Sequence, residues 1–267
     1  MIQRPFGTTG IYVSPLGLGT VKLGRNQGVK YPQGFALPTD AEALALIDRA
    51  RELGVNLIDT APAYGTSETR LGELLRGQRK HWIICSKVGE EFVDGNSQFD
   101  FSAEHTRASI ERSLRRLNTD VIDIVLVHSD GDDCRIIERE GALEQLAELK
   151  RQGKIRAFGM STKTVAGGLL AAAQSDGVMV TYNLRERDER AVIDYCAQHQ
   201  KGVFIKKALA SGHLCNDIGS APTDPVQASM NFVLNTNGVT SAIVGTINPR
   251  HLQDNVARAR SALSDPY

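Results

Sequence analysis

The 267-residue sequence predicts an α/β fold, a closed (β/α)8 TIM barrel with an N-terminal β-hairpin. Three observations lead there. Short apolar runs of strand length alternate eight times with segments of helical period. The connections between them are mostly short, as consecutive strands of one parallel barrel require. One run, VIDIVLVH at 121–128, is apolar almost throughout, as a strand covered on both faces must be. The length suits one barrel, and no linker, low-complexity tract or shift of composition divides the chain, so residues 1–267 are taken as a single domain.

The elements follow in order. A Gly-bounded turn at 7–10 separates two short extended segments, 2–5 and 11–15, and predicts the hairpin. The first barrel strand is 16–19, followed by a loop over 22–38. Thr39 and Glu42 have capping-box spacing for a helix that ends at Gly54, with Leu46, Ile47, Ala50 and Leu53 on its apolar stripe. Strands are then expected at 55–59, 82–87, 121–128, 156–160, 178–182, 203–206 and 241–244. Helices are expected at 67–76, 102–117, 142–152, 164–173, 188–198, 225–234 and 249–263.

Composition narrows the partners. Lysine plus arginine and aspartate plus glutamate number 31 each, a balance that argues against nucleic acid or an anionic membrane. No apolar run reaches the length of a signal peptide or a membrane span. Cys85, Cys134, Cys196 and Cys215 are widely spaced with no CxxC pair, so free thiols and a cytoplasmic location are expected.

The chemistry is concentrated where strands end. In GVNLIDTAPAYGTSETRLG, at 54–72, Asp59 closes an apolar strand and Tyr64 follows in a tight loop. Lys87 and His128 close the next two strands. In a parallel barrel these ends share one mouth, so the four side chains converge. A phenol is a weak acid; a nearby ammonium favours phenolate and lowers its pKa, and a carboxylate keeps that ammonium charged. With a histidine beside it, the phenol becomes a proton donor aimed at a carbonyl oxygen.

These residues, together with FGTTGIYVSPLGLGT, ICSKVG, DIVLVH, GKIRAFGMST and SAIVGTINPRHLQDN, resemble the aldo-keto reductase family over essentially the whole chain. The resemblance implies that Tyr64 is the general acid, that Lys87 paired with Asp59 tunes it, and that His128 positions the carbonyl of a small-molecule substrate. It also implies a reduced nicotinamide cofactor, NADPH with NADH as the alternative, lying across the mouth; the chain has no GxGxxG after a strand. By the same resemblance Thr20 and Val21 lie near the nicotinamide ribose and Ser161 near the carboxamide. Leu209, Ser211 and Gly212 belong to the pyrophosphate turn. Gly245, Thr246, Arg250, Asp254 and Asn255 belong to the segment around the adenosine end, where a helix start at Pro249 offers free N–H groups to a phosphate.

Three positions depart from the family pattern: Thr162 stands where Asn is frequent, Thr181 where Gln is common, and Lys206 where an aromatic ring usually stacks on the nicotinamide. A lysine there is expected to disfavour the cationic oxidised ring.

Other features have plainer readings. Asp130, Asp132 and Asp133 are expected in a solvated loop rather than at a metal. His81, His105, His199 and His213 are taken as surface residues and Trp82 as packing. Two further functions use the same barrel: a cofactor-occupied redox sensor or regulatory subunit, and a Schiff-base aldolase acting through Lys206 or Lys207. The chain ends soon after its last helix, which suggests an open pocket unless residues 26–38 or 90–101 cover it. The sequence sets neither the substrate nor an oligomeric state.

Overall fold

The computed structural model describes residues 1–29, 34–210 and 224–264. Strands β1 (Arg4–Pro5) and β2 (Tyr12–Val13) pair antiparallel as the N-terminal hairpin. The barrel then begins with β3 (Leu16–Gly19), followed by α1 (Val21–Gly24) and α2 (Asp40–Glu52). Next come β4 (Leu57–Asp59), a 3-10 turn (Pro62–Tyr64), α3 (Ser67–Leu74) and β5 (Ile83–Val88). A second hairpin, β6 (Glu90–Val93) with β7 (Asn96–Phe99), precedes α4 (Ala103–Arg116) and β8 (Ile122–His128). The remainder is α5 (Asp133–Arg139), α6 (Ala142–Arg151), β9 (Ile155–Ser161), α7 (Val165–Gln174), β10 (Gly177–Thr181), α8 (Arg190–Gln198), β11 (Gly202–Lys206), α9 (Pro225–Leu234), β12 (Ser241–Gly245) and α10 (Pro249–Ser264).

Eight of these strands close a parallel barrel in the order β10-β11-β12-β3-β4-β5-β8-β9. Strand residues alternate between its two sides, as the two-residue period demands. Leu57, Cys85, Ile124, Leu126, Ala157, Met179 and Phe204 fill the interior. Ile58, Ile84, Val125, Val127 and Val180 face outward to the helices, against such residues as Leu46, Ile47, Ile110 and Leu146. The first hairpin plugs the N-terminal end, where Phe6 stands 4.7 Å from the Phe204 ring.

Local chemistry sets most boundaries. Thr39 and Glu42 form the expected reciprocal capping box, and Gly54 ends α2 with a positive φ of 82°. Ser102 accepts from His105 N to start α4, and Asp224 accepts from Val226 N and Gln227 N to start α9.

Several expectations need correction. The segment after β3 is not all loop, since α1 occupies Val21–Gly24. Residues 90–99, to which the sequence assigns no strand, form the β6–β7 hairpin around Asp94 and Gly95, both at positive φ. The acidic run at 130–133 does not lie wholly in solvent. Asp133 is buried at the start of α5 and accepts hydrogen bonds from Ser129 Oγ, Lys163 N, Thr164 N and Thr164 Oγ1. His105 is partly buried, 3.6 Å from Glu91. Trp82 is a core residue, as expected, and Cys85, Cys134 and Cys196 are free thiols. His213 and Cys215 lie outside the described residues. Among the described residues no helix is long and apolar enough to cross a membrane, and no cluster of three metal-ligating side chains occurs.

Candidate active site

Strand register brings the predicted side chains to one level. At the C-terminal ends of the strands, Gly19 is level with Asp59, His128 with Ser161, Thr181 with Lys206, and Gly245 with Gly19. The mouth of the barrel is therefore lined by groups the sequence scatters over more than two hundred positions.

Lys87 is its electrostatic centre. The side chain is 1% exposed, and Nζ donates to Asp59 Oδ1 at 2.5 Å and to the Thr60 carbonyl at 3.0 Å. Burial alone would discharge this ammonium; Asp59, with Tyr64 and Cys85, reverses the effect and holds its pKa above the ordinary lysine value. Nζ lies 5.0 Å from the centre of the Tyr64 ring, and the rings of Tyr64 and His128 meet edge to face with centres 6.3 Å apart. Asp59, Tyr64, Lys87 and His128 are thus assembled at one place.

The tuning of Tyr64 differs from the simple expectation. Lys87 does pull its pKa down, but burial, aided by the charges on Asp59 and Glu90, pushes it further up, and the net shift is upward. Tyr64 is therefore a firmly protonated phenol.

The loop bearing Tyr64 is fixed by close packing. Pro62 opens its 3-10 turn. The turn then presses on α1 so closely that a Cβ on Gly24 would stand 2.3 Å from Tyr64 O and 2.2 Å from Ser67 N. Behind it, Ser67 Oγ donates to Thr20 Oγ1 at 2.8 Å and lies 3.0 Å from Thr60 Oγ1. Thr20 in turn donates to the Asp59 carbonyl, so its fully buried hydroxyl braces strand ends. Val21 is partly exposed beside it.

On the opposite side of the mouth, Lys206 Nζ donates to Ser161 Oγ at 3.0 Å and to the Thr162 carbonyl at 2.5 Å. Burial lowers its pKa to about 8 in spite of Glu189 and Asp133. Glu189, buried with a raised pKa, accepts from Thr181 N at 2.7 Å and lies 3.4 Å from Thr162 Oγ1. The three positions that depart from the family pattern are therefore linked by one buried acid. A cavity of about 600 Å³ opens here, lined by His128, Lys163, Thr181, Glu189, Lys206 and Lys207 among others.

Past β11 the backbone turns sharply, with Lys207 and Ala210 at positive φ on either side of Ala208 and Leu209. Ser211 and Gly212 lie outside the described residues. At the start of α10, Thr246 Oγ1 accepts from Asn248 N, and Asn248 Oδ1 accepts from Arg250 N. Gly245, Arg250 and Asp254 are exposed there and Asn255 is partly exposed.

One charged group of the site was missed from sequence. Glu90, the first residue of β6, holds Oε2 2.6 Å from His128 Nδ1. That nitrogen is buried with no hydrogen-bond partner among the described residues, and the Glu90 carboxylate faces it as an ion-pair contact. The Asp-Gly turn four residues later is a strong hairpin signal and would have located this strand.

Comparison with known proteins agrees with this geometry. The model of the aldo/keto reductase family matches residues 15–221. A solved structure from Pseudomonas aeruginosa, described as an aldo-keto reductase, superposes with a TM-score of 0.88 at 58% identity, covering 98% of this chain and 95% of that one. The chain is also 28% identical over 236 residues to the uncharacterized oxidoreductase YqkF of Bacillus subtilis, covering 86% of this chain and 71% of YqkF. Pyridoxine 4-dehydrogenase of Escherichia coli is 28% identical over 269 residues, covering 95% of this chain and 92% of that protein. A barrel with these strand-end residues, matched by the family model over most of its length, belongs to the aldo/keto reductase family of oxidoreductases.

Proposed function

We propose that this protein is an NADPH-dependent carbonyl reductase that converts aldehydes or ketones to alcohols, with Tyr64 as the general acid. The observation that carries the reading is the buried Lys87–Asp59 pair set against the Tyr64 ring at the barrel mouth. A nicotinamide cofactor suits the surroundings: a cavity of about 600 Å³ is bordered by Lys206 and Lys207, cations that suit a phosphate-bearing ligand, and Lys207 itself starts a turn with positive φ. When bound, the reduced cofactor supplies hydride to the carbonyl carbon.

Val21, Ser161, Thr162, Thr181 and Lys206 would face its nicotinamide end, and Leu209 with Ser211 and Gly212 its phosphates. Gly245, Thr246, Arg250, Asp254 and Asn255 would face its adenosine end. Thr20 would serve from behind, as a brace. Arg250 is the strong cation at that end and supports NADPH over NADH.

The protein's own part is electrostatic. Tyr64 stays protonated until negative charge develops on the substrate oxygen, and it then donates. Lys87 lies where the resulting phenolate is stabilised, and Asp59 keeps Lys87 charged. Burial lowers the Lys206 pKa to about 8 and so eases formation of a free amine, but its ammonium is engaged by Ser161 and Thr162; borohydride trapping of substrate onto Lys206 would mark Schiff-base chemistry instead of reduction. The test is oxidation of NADPH and of NADH against a panel of aldehydes, pyridoxal included because one relative is named a pyridoxine 4-dehydrogenase. Turnover with NADPH supports the reading. Tight cofactor retention without turnover on any member would favour the sensor function instead.

A further inference from the structure

The β6–β7 hairpin rises beside the mouth and is tied to both proton-handling groups. Arg25 donates from Nη1 to the Ala63 carbonyl, next to Tyr64, and its guanidinium lies 3.4 Å from the centre of the Phe92 ring on β6. On the same strand Glu90 is held from both sides: Ser97 Oγ donates to Oε1 at 2.6 Å, and Oε2 meets His128 Nδ1 at 2.6 Å. The glutamate side chain is 12% exposed and the histidine 22%, so water screens the contact only in part.

We propose that Glu90 is a positioning residue for the reaction: its carboxylate fixes His128 with a proton on Nδ1, turns Nε2 toward the mouth, and supports a second proton there when the carbonyl is reduced. The inference rests on the reductase reading and adds a residue to it.

The tautomer follows from the charge that faces the ring at 2.6 Å. A carboxylate only accepts, so the nitrogen that faces it must carry the hydrogen, and the neutral ring then presents a lone pair at Nε2. In that form His128 accepts a hydrogen bond from a hydroxyl, as the oxidation of an alcohol needs. To donate toward a carbonyl oxygen it must become imidazolium. The groups around it oppose one another. Burial, Lys87 from β5 and Lys206 from β11 disfavour the cation, and Glu90 favours it, leaving the His128 pKa below its usual value. Glu90, flanked by His128, Ser97 and Arg25, stays ionised, its pKa held at about 2 against the effect of burial. It is the acidic group placed to supply the missing charge. Reduction remains balanced: the carbonyl gains hydride on carbon and one proton on oxygen, and the proton delivered by Tyr64 is replaced from the histidine or solvent.

Two measurements test this. The first is the pH dependence of kcat/KM for carbonyl reduction in the wild type, Glu90→Gln and Glu90→Asp. Reduction that uses protonated His128 weakens as pH rises through its pKa. Loss of an opposite charge at this distance moves that break down by about one to three pH units. Glu90→Gln should therefore show a break at lower pH, and Glu90→Asp should return it most of the way. Superimposable profiles for wild type and Glu90→Gln would overturn the proposal. The second needs no turnover: ¹⁵N imidazole shifts of the labelled protein, with the His128 signals assigned by their loss in His128→Asn. The expected result is protonated Nδ1 and unprotonated Nε2 at neutral pH in the wild type, and mixed tautomers in Glu90→Gln. A wild-type His128 protonated on Nε2 alone would overturn the assignment even if the protein reduces nothing. An enzyme inactive on every carbonyl but with the Nδ1–H tautomer would sink the reductase reading and spare the positioning role.

Discussion

Breaking the Lys87–Asp59 pair from either side should cost far more than removing both partners together. The two side chains are 1% and 5% exposed and meet at 2.5 Å. Asp59→Asn leaves a buried ammonium that still donates to the Thr60 carbonyl but has lost its counter-charge. Lys87→Met leaves a buried carboxylate. Removal of one partner of such a pair typically costs about 3–5 kcal/mol, whereas replacing both by groups of similar volume is often close to neutral. At roughly 2–4 °C per kcal/mol for a chain of this size, each single variant should melt about 6–20 °C below the wild type.

The pH dependence separates the two states of Lys87. In the wild type its folded pKa lies above 10.5, so this group's contribution is fully present below pH 10.5 and is lost only as pH rises through the folded value. In Asp59→Asn burial dominates and depresses the pKa. The unfolded chain then binds more protons than the folded one, and stability climbs with pH up to about 10. The assay is a double-mutant cycle by urea unfolding at several pH values, with the Asp59→Asn/Lys87→Met double variant as the fourth corner. The expected double variant lies within about 2 kcal/mol of the wild type, and all three variants are inactive. If the double variant instead loses the sum of the single losses, the two groups are not coupled and the electrostatic argument fails.

Two further outcomes concern the edges of the site. Gly24→Ala would drive a Cβ into Tyr64 O and Ser67 N, both backbone atoms, and should cost about 1–3 kcal/mol while lowering kcat far more than it raises KM, as differential scanning calorimetry and steady-state kinetics would register. Lys206→Tyr removes a cation from the nicotinamide surroundings, so the ratio of the NADP+ to the NADPH dissociation constant should fall, on the order of tenfold. In the wild type the same ratio should fall as pH rises through about 8, where Lys206 loses its proton. A ratio unmoved by the substitution would remove the charge argument.

The barrel was legible because its signals are local and repeated. Each strand is an apolar run bounded by turn residues, and the Thr39–Glu42 capping box marks the start of α2 as its spacing in the sequence does. The four central side chains were legible for a different reason. Once parallel order is granted, strand ends share a mouth, so Asp59, Lys87 and His128 had to converge, and Tyr64 lies in the loop that follows Asp59. What escaped were elements too short to show a period. Helix α5 has seven residues, and its first acid, Asp133, is drawn inward by three donors from Lys163 and Thr164 that only the folded chain brings near. The β6–β7 hairpin has mostly polar, exposed residues, and its Asp94-Gly95 turn was its clearest mark. The net rise in the Tyr64 pKa was not legible at all. It depends on how much protein surrounds the ring, which no spacing of charges in a sequence records.

The central claim is that Tyr64 donates the proton in a carbonyl reduction. It is tested most directly by the rate of NADPH oxidation with an aldehyde that the wild type reduces, compared with Tyr64→Phe at matched cofactor occupancy. Phenylalanine keeps the ring beside Lys87 and His128 and removes only the hydroxyl. Loss of a positioned general acid lowers kcat by about 10²–10⁴-fold, so a loss in that range with an unchanged NADPH dissociation constant is the predicted result. Equal turnover in Tyr64→Phe and wild type would contradict it.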